Sequence, residues 1–170
     1  MFYVVQTAPA KEQITKTFID EMVGSKIKLK SYSLTRDMRK KFGGQWMTVK
    51  EKLFPGYIFV ETEDILDTYL SSFAVPLLTK YIGREVDLFE TLTEKESGWI
   101  SKLVAEGEEV PVSEIDIAEG NKVTILSGPL TELEGYVKKV DLHRRQAEVE
   151  VEFMGRKTVF YLGIEFVKKM

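Results

Sequence analysis

The sequence predicts an α+β fold: an antiparallel sheet with helices packed on it, followed by a linker and a small five-stranded β-barrel. Three observations predict it. Up to residue 106, apolar β-branched runs are interleaved with amphipathic helical patterns. Residues 107–119 are acidic and proline-containing, without a sustained period, as a linker would be. Over residues 120–170 no helical pattern is visible, and short β-like runs recur between turn signals. The expected organisation is a first domain over 1–106, a linker over 107–119 and a barrel over 120–170.

Each element has its own justification. Phe2 to Thr7 is a short apolar run closed by Pro9, hence a strand. Ile14, Phe18, Ile19 and Met22 then recur at helical spacing among polar residues, and Gly24 ends that helix. Ile27 to Leu34 alternates as an exposed strand. Arg36 to Lys41 is strongly basic, Gly43-Gly44 reads as a hairpin tip, and Trp46 to Leu53 returns as a strand. After the corner Phe54-Pro55-Gly56, the run Tyr57-Ile58-Phe59-Val60 is apolar enough to be a buried strand. Asp64 is placed to cap a short helix carrying Ile65, Leu66, Tyr69 and Leu70, and Tyr81-Ile82-Gly83 reads as an edge segment. Thr93 with Glu96 forms a capping box for a helix burying Trp99, Ile100 and Leu103. In the barrel the expected strands are Lys122–Leu126, Gly135–Val140, Ala147–Phe153, Thr158–Leu162 and Phe166–Lys168. Gly128 and Gly135 sit where a tight barrel needs positive φ or close backbone approach.

Composition narrows the function classes. With 44% hydrophobic residues the chain has material for a core, and its net charge of −3 argues against binding nucleic acid through bulk charge. A local patch or a protein partner is required instead. The absence of cysteine excludes disulfides, thiolate metal sites and a thiol nucleophile. The first residues do not read as a signal peptide, and no apolar run reaches the roughly 20 residues that cross a bilayer. The expectation is a cytoplasmic protein without a membrane partner. His143, the sole histidine, has no second ligand near it in sequence, so no metal and no cofactor are expected. No nucleotide loop or nucleophile triad appears, and the paired carboxylates Glu108-Glu109 lie where nothing would tune them, so the chain reads as a non-enzyme.

Two segments carry the functional signal. In the first, Lys52 to Val60, Tyr57 and Phe59 share one strand face and Ile58 and Val60 the other. Pattern alone leaves two readings, core on both faces or one aromatic face open to a partner. The second is Gly120-Asn121-Lys122-Val123-Thr124-Ile125-Leu126-Ser127-Gly128-Pro129 with Leu133-Glu134-Gly135-Tyr136-Val137. The first resembles the amino-terminal domain of the NusG family, with its aromatic-Tyr-Val-Val start and Phe-Pro-Gly-Tyr strand; the second resembles the KOW motif. The resemblance covers nearly the whole chain in order.

The resemblance implies a transcription elongation and antitermination factor, a monomer whose amino-terminal domain docks on the clamp helices of the largest subunit of bacterial RNA polymerase. Gln6, Tyr57 and Phe59 fall on the docking face. It further implies contact of the barrel with nascent RNA, including a leader hairpin, or with another factor, and contact with the non-template DNA strand. Phe73-Ala74-Val75-Pro76-Leu77-Leu78 replaces the family's usual polar segment, which puts that last contact in question. Met154 stands where general members often have an aromatic, and the ending Thr158 to Glu165 is also unusual. These departures point to a specialised, operon-specific branch of the LoaP and RfaH type. Basic residues supply the candidate nucleic-acid contacts: Lys138, Lys139, His143, Arg144 and Arg145 around one barrel turn, Arg156 and Lys157 at another, and Arg39, Lys40 and Lys41 at the hairpin. Solvated turn charge is the bland alternative for all of them. At the level of the whole protein, the competing class is an RNA-binding or ribosome-associated KOW module without polymerase binding.

Overall fold

A computed structural model describes residues 1–65, 67–68, 75, 78–82 and 92–167. In chain order the first elements are β1 (Phe2–Thr7), α1 (Glu12–Phe18), β2 (Leu29–Tyr32), β3 (Thr35–Phe42), β4 (Gln45–Lys52), β5 (Tyr57–Thr62) and β6 (Leu78–Ile82). They are followed by α2 (Glu94–Leu103), β7 (Glu109–Val110), β8 (Ser113–Ala118), β9 (Lys122–Ser127), β10 (Val137–Asp141), β11 (Gln146–Phe153) and β12 (Arg156–Phe166). The expected contributions of Leu66, Tyr69, Leu70, Gly83 and most of the segment Phe73–Leu78 lie outside the described residues.

Contacts group the chain into two units, Met1–Leu34 with Phe54–Ser97, and Thr35–Leu53 with Gly98–Met170. The expected boundaries at 106 and 119 both fall inside the second unit.

In the first unit a four-stranded sheet runs β2-β5-β1-β6, with β5 antiparallel to β1 and β2. One face buries Val5, Ile58 and Val60 against Ile19 and Val23. The helix supplying those two residues is not oriented as its apolar spacing predicts. Ile14 and Met22 are 48% and 37% exposed, while Thr15 and Glu12 turn inward. Thr15 is tolerated because its hydroxyl bonds that of Thr7 at 2.7 Å and donates to the Lys11 carbonyl at 2.8 Å. After Phe18 the helix loosens into a π turn, Ile19–Val23, which lets Ile19 and Val23 both reach the core. The capping box is present: the Thr93 amide donates to Glu96 Oε1 at 3.1 Å and the Glu96 amide to Thr93 Oγ1 at 3.2 Å.

In the second unit a five-stranded sheet runs β10-β11-β12-β8-β9. β12 is the shared element: Arg156 to Gly163 pair antiparallel with β11, and Ile164 to Phe166 pair parallel with β8. The fifth strand is therefore β8, from the stretch expected to be linker, while Phe166 closes β12; Lys168 of the expected last strand lies outside the described residues. Its alternation was masked by acidic residues: Ser113 and Ile115 are buried, while Glu114 and Asp116 point outward. β7 comes from the same stretch and pairs with β3. Val149, Val151, Phe153, Phe160, Leu162 and Ile164 fill the core. Trp99 of α2 enters it, fully buried, with Phe153 edge-on at 5.8 Å and its indole N–H donating to the Glu152 carbonyl at 2.9 Å. Gly128 has the expected positive φ of 96°, and a Cβ there would lie 2.6 Å from Ser113 Cα; Gly135 has neither feature.

The hairpin β3–β4 turns at Gly43-Gly44 as expected, with Phe42 opposite Gln45. It packs on β12, where the Arg36 guanidinium donates to the Tyr161 carbonyl at 2.7 Å. Gly163 makes the packing feasible, since a Cβ there would lie 2.5 Å from the Asp37 carbonyl oxygen. Gly163→Ala is expected to cost about 1–3 kcal/mol by overpacking. A lower melting temperature together with faster amide exchange in β3 would show it; wild-type values for both would remove Gly163 from this role.

Candidate functional site

The docking face predicted in the first unit is the sheet face opposite α1. Register sets it: Gln6 lies directly across from Tyr57, and Val4 across from Phe59. All three predicted residues thus share a face, but they differ in exposure. Gln6 and Tyr57 are half-buried, whereas Phe59 and Val4 are fully buried. Phe59 meets the ring of Phe54 edge-on at 5.6 Å. The expectation of an exposed Phe59 is not met. Its alternation placed it on the right face and gave no measure of what covers that face. Phe59 supports the face from within, and Tyr57 with Gln6 forms its accessible end.

The basic residues of the second unit separate into two environments. Lys138 lies 3.3 Å from Glu150, Lys139 is directly across from Glu148, and Lys157 directly across from Glu152. Outward glutamates of β11 therefore neighbour all three lysines. Arg156 and Lys157 follow the turn at Met154-Gly155, at the far end of the eight-residue β11 from His143, Arg144 and Arg145. At about 3.3 Å per residue that separates the two turns by roughly 25 Å. The two basic turns named from sequence thus lie at opposite ends of β11.

The hairpin and the 143–146 turn do come together. Met38, Arg39, Lys40, Lys41, Phe42 and Trp46 on one side, and His143, Arg144 and Gln146 on the other, line an open groove of about 550 Å³. Its frame is an ion bridge: the Glu165 carboxylate pairs with Arg39 from β3 and with Arg145 at 2.9 Å. Arg145 lies over the Trp46 ring, 4.0 Å from its centroid, and 5.1 Å from that of Phe166. Arg39 also donates to Thr48 Oγ1 at 2.8 Å. Deeper along the hairpin, burial lowers the pKa of Arg36, and Glu51 at 3.8 Å opposes that shift. Sequence reasoning missed Trp46, Phe42 and Glu165. The hairpin signal placed the two aromatics at a tip, but nothing local connects a strand-end glutamate to residues more than a hundred positions away.

Glu165 is expected to be structurally costly to lose. Replacing it with Ala leaves two guanidinium groups, each about 20% exposed, without their shared carboxylate. A loss of about 1–3 kcal/mol is anticipated. It would be read as a lowered urea midpoint with faster exchange of the β3–β4 amides, and an unchanged midpoint would mean the bridge does not hold the hairpin.

Comparison with known proteins adds relatives. A family model described as the transcription termination factor NusG matches residues 1–119. The transcription termination/antitermination protein NusG of Neisseria meningitidis serogroup B is 28% identical over 124 residues, covering 72% of this chain and 70% of its own. The protein of that name from Thermus thermophilus is 28% identical over 138 residues, covering 75% and 72%. Among solved structures, that reported as domain interaction in Thermotoga maritima NusG aligns over 95% of this chain and 92% of its own, with a TM-score of 0.53 at 24% identity. That likeness is one of fold.

Proposed function

We propose that this chain, which belongs to the NusG family, is a transcription elongation factor that docks on RNA polymerase through its first unit and contacts nucleic acid through its second. The family is one of transcription factors and not of enzymes. The observation that carries the reading is the family match over residues 1–119, which includes β1 and β5 with the facing pair Gln6 and Tyr57. Tyr57 and Gln6 contact the clamp helices of the largest polymerase subunit, and Phe59 beneath them keeps the strand in place. A half-buried tyrosine beside an amide suits such a surface, since it supplies apolar area with polar tips at low entropic cost.

The barrel's partner is nascent RNA, reached through basic side chains that meet phosphates. Action on particular operons follows from the departures already described. One is Met154, half-buried at a φ of 52°, in place of an aromatic contact residue. The outcome in this reading is processive antitermination. One observation favours the competing reading, an RNA-binding or ribosome-associated module: Val4 and Phe59, at the middle of the docking face, are fully buried. That module would bind RNA and leave polymerase alone.

Retention on immobilised clamp helices separates the two. Tyr57→Ala is expected to weaken retention about tenfold, as loss of an interface anchor does. Equal retention of wild type and variant would count against this face, and no retention of either would favour the RNA module. Transcription across intrinsic terminators, with a neutral leader and with the leader from the protein's own genomic neighbourhood, then tests operon specificity.

A further inference from the structure

We propose that the docking face carries a second contact, made by Lys30, Tyr32 and Glu61 at the far end of β5 from Tyr57, where charges of both signs fix the orientation in which a helical protein partner is seated. The inference rests on the polymerase-docking reading above and names the residues that make that docking selective.

Register is the first argument. Directly opposed residues of β2, β5 and β1 share a face, so the face opposite α1 is built of successive rows. Tyr57 and Gln6 form one end, Tyr32, Phe59 and Val4 the middle, and Lys30, Glu61 and Phe2 the other end. Phe59, Val4 and Phe2 are buried, so the accessible side chains lie at the two ends, with Tyr32 half-buried between them. The Tyr32 hydroxyl donates to Glu61 Oε1 at 3.2 Å, and its ring lies 6.3 Å from that of Phe2, which holds the carboxylate in place. From Tyr57 to Glu61 the strand spans about 13 Å, the rise of roughly nine residues of an α-helix. A helix laid along β5 therefore reaches both ends and straddles the covered row.

Charge decides what kind of partner the far end fits. It opens into a groove of about 350 Å³ whose lining includes Lys28, Lys30, Glu61, Glu63 and Asp64. Both lysines are exposed and, among the described residues, enter no ion pair. In the second unit, by contrast, Arg39, Lys40 and Arg144 each meet a carboxylate. Three carboxylates in the groove repel a polyanion, which disfavours nucleic acid as the occupant. Two unpaired lysines beside three acids fit a surface that itself carries both signs, as the polar side of a protein helix does. Apolar contact at Tyr57 is non-directional and accepts a helix running either way or displaced by a turn. An ordered set of opposite charges does not, because reversal or displacement brings like charges together.

Binding of the full-length chain to bacterial core RNA polymerase, measured at low and at high salt, tests this. Lys30→Glu and Glu61→Lys, each made alone, are expected to weaken binding about five- to tenfold at low salt and less at high salt, where exposed charges are screened. Tyr57→Ala removes apolar contact, and its loss should persist at high salt. The exchange of Lys30→Glu together with Glu61→Lys is the decisive variant. It keeps opposite charges facing each other across β2 and β5 while inverting the pattern a partner meets, so binding is expected to stay weak. If the two residues serve only to hold β2 to β5, the exchange restores wild-type binding, and the proposal is overturned. Lys28→Glu, at an exposed position of the groove that precedes β2, touches no strand pair and should weaken binding with the same salt dependence even if the exchanged chain melts early. Lys11→Glu makes the same charge change at the start of α1, on the opposite side of the sheet, and should alter nothing. Wild-type affinity in all the reversals of Lys28, Lys30 and Glu61, with Tyr57→Ala weakened, overturns the second contact and leaves the docking reading standing. No binding of the wild-type chain to polymerase overturns the docking reading and this contact with it.

Discussion

The second unit depends on β12 serving three partners at once. Its first part completes an antiparallel pair with β11, its end turns to run parallel with β8, and between them Gly163 admits the backbone of β3. Few residue types satisfy that position. A side chain at 163 would strike the Asp37 carbonyl, and a displaced strand would lose either the β11 or the β8 ladder, with its amides unpaired. Close approach at Gly163 also determines where Glu165 falls, two residues on, within reach of both Arg39 and Arg145. The groove is thus a consequence of a strand-packing constraint before it is a feature of surface charge.

How much of this is legible in the sequence follows from the range of each signal. Local signals are read correctly: the Thr93–Glu96 capping box, the Gly43-Gly44 hairpin tip and the buried strand at Tyr57–Val60 each depend on residues within a few positions. Signals of pairing are not. β8 was hidden because Glu114 and Asp116 occupy its outward positions, and charge there reads like linker although its inward Ser113 and Ile115 are buried. Apolar spacing indicates that Trp99 is buried but not against which partner, which the structure shows to be Phe153 and Phe160. The helix at Glu12 failed differently. A hydroxyl pair between Thr7 and Thr15 satisfies two polar groups in the core and frees Ile14 to face water, a trade that hydropathy patterns do not represent.

The candidate sites show the same division. Gln6 and Tyr57 were placed together by alternation and remain together, because antiparallel register preserves faces. Phe59 shares that face and is fully buried, which alternation alone does not report. Among the cations, sequence proximity grouped Lys138 and Lys139 with His143 and Arg144, whereas folding groups the latter two with Arg39, Lys40 and Lys41, from a hairpin about a hundred residues earlier.

Net charge argues against binding nucleic acid through bulk charge, and the distribution of charge over the second unit bears on the same point. The outward face of β11 carries Glu148, Glu150 and Glu152, next to the strand partners Lys139, Lys138 and Lys157. Over a Debye length of roughly 8 Å at physiological salt, that mixture presents little net field to an approaching polyanion. The groove follows the same pattern, since Arg39 pairs with Glu165, Lys40 with Glu51 and Arg144 with Asp141. Such a distribution disfavours adsorption to any duplex the chain happens to meet, because non-specific affinity scales with the number of phosphates neutralised.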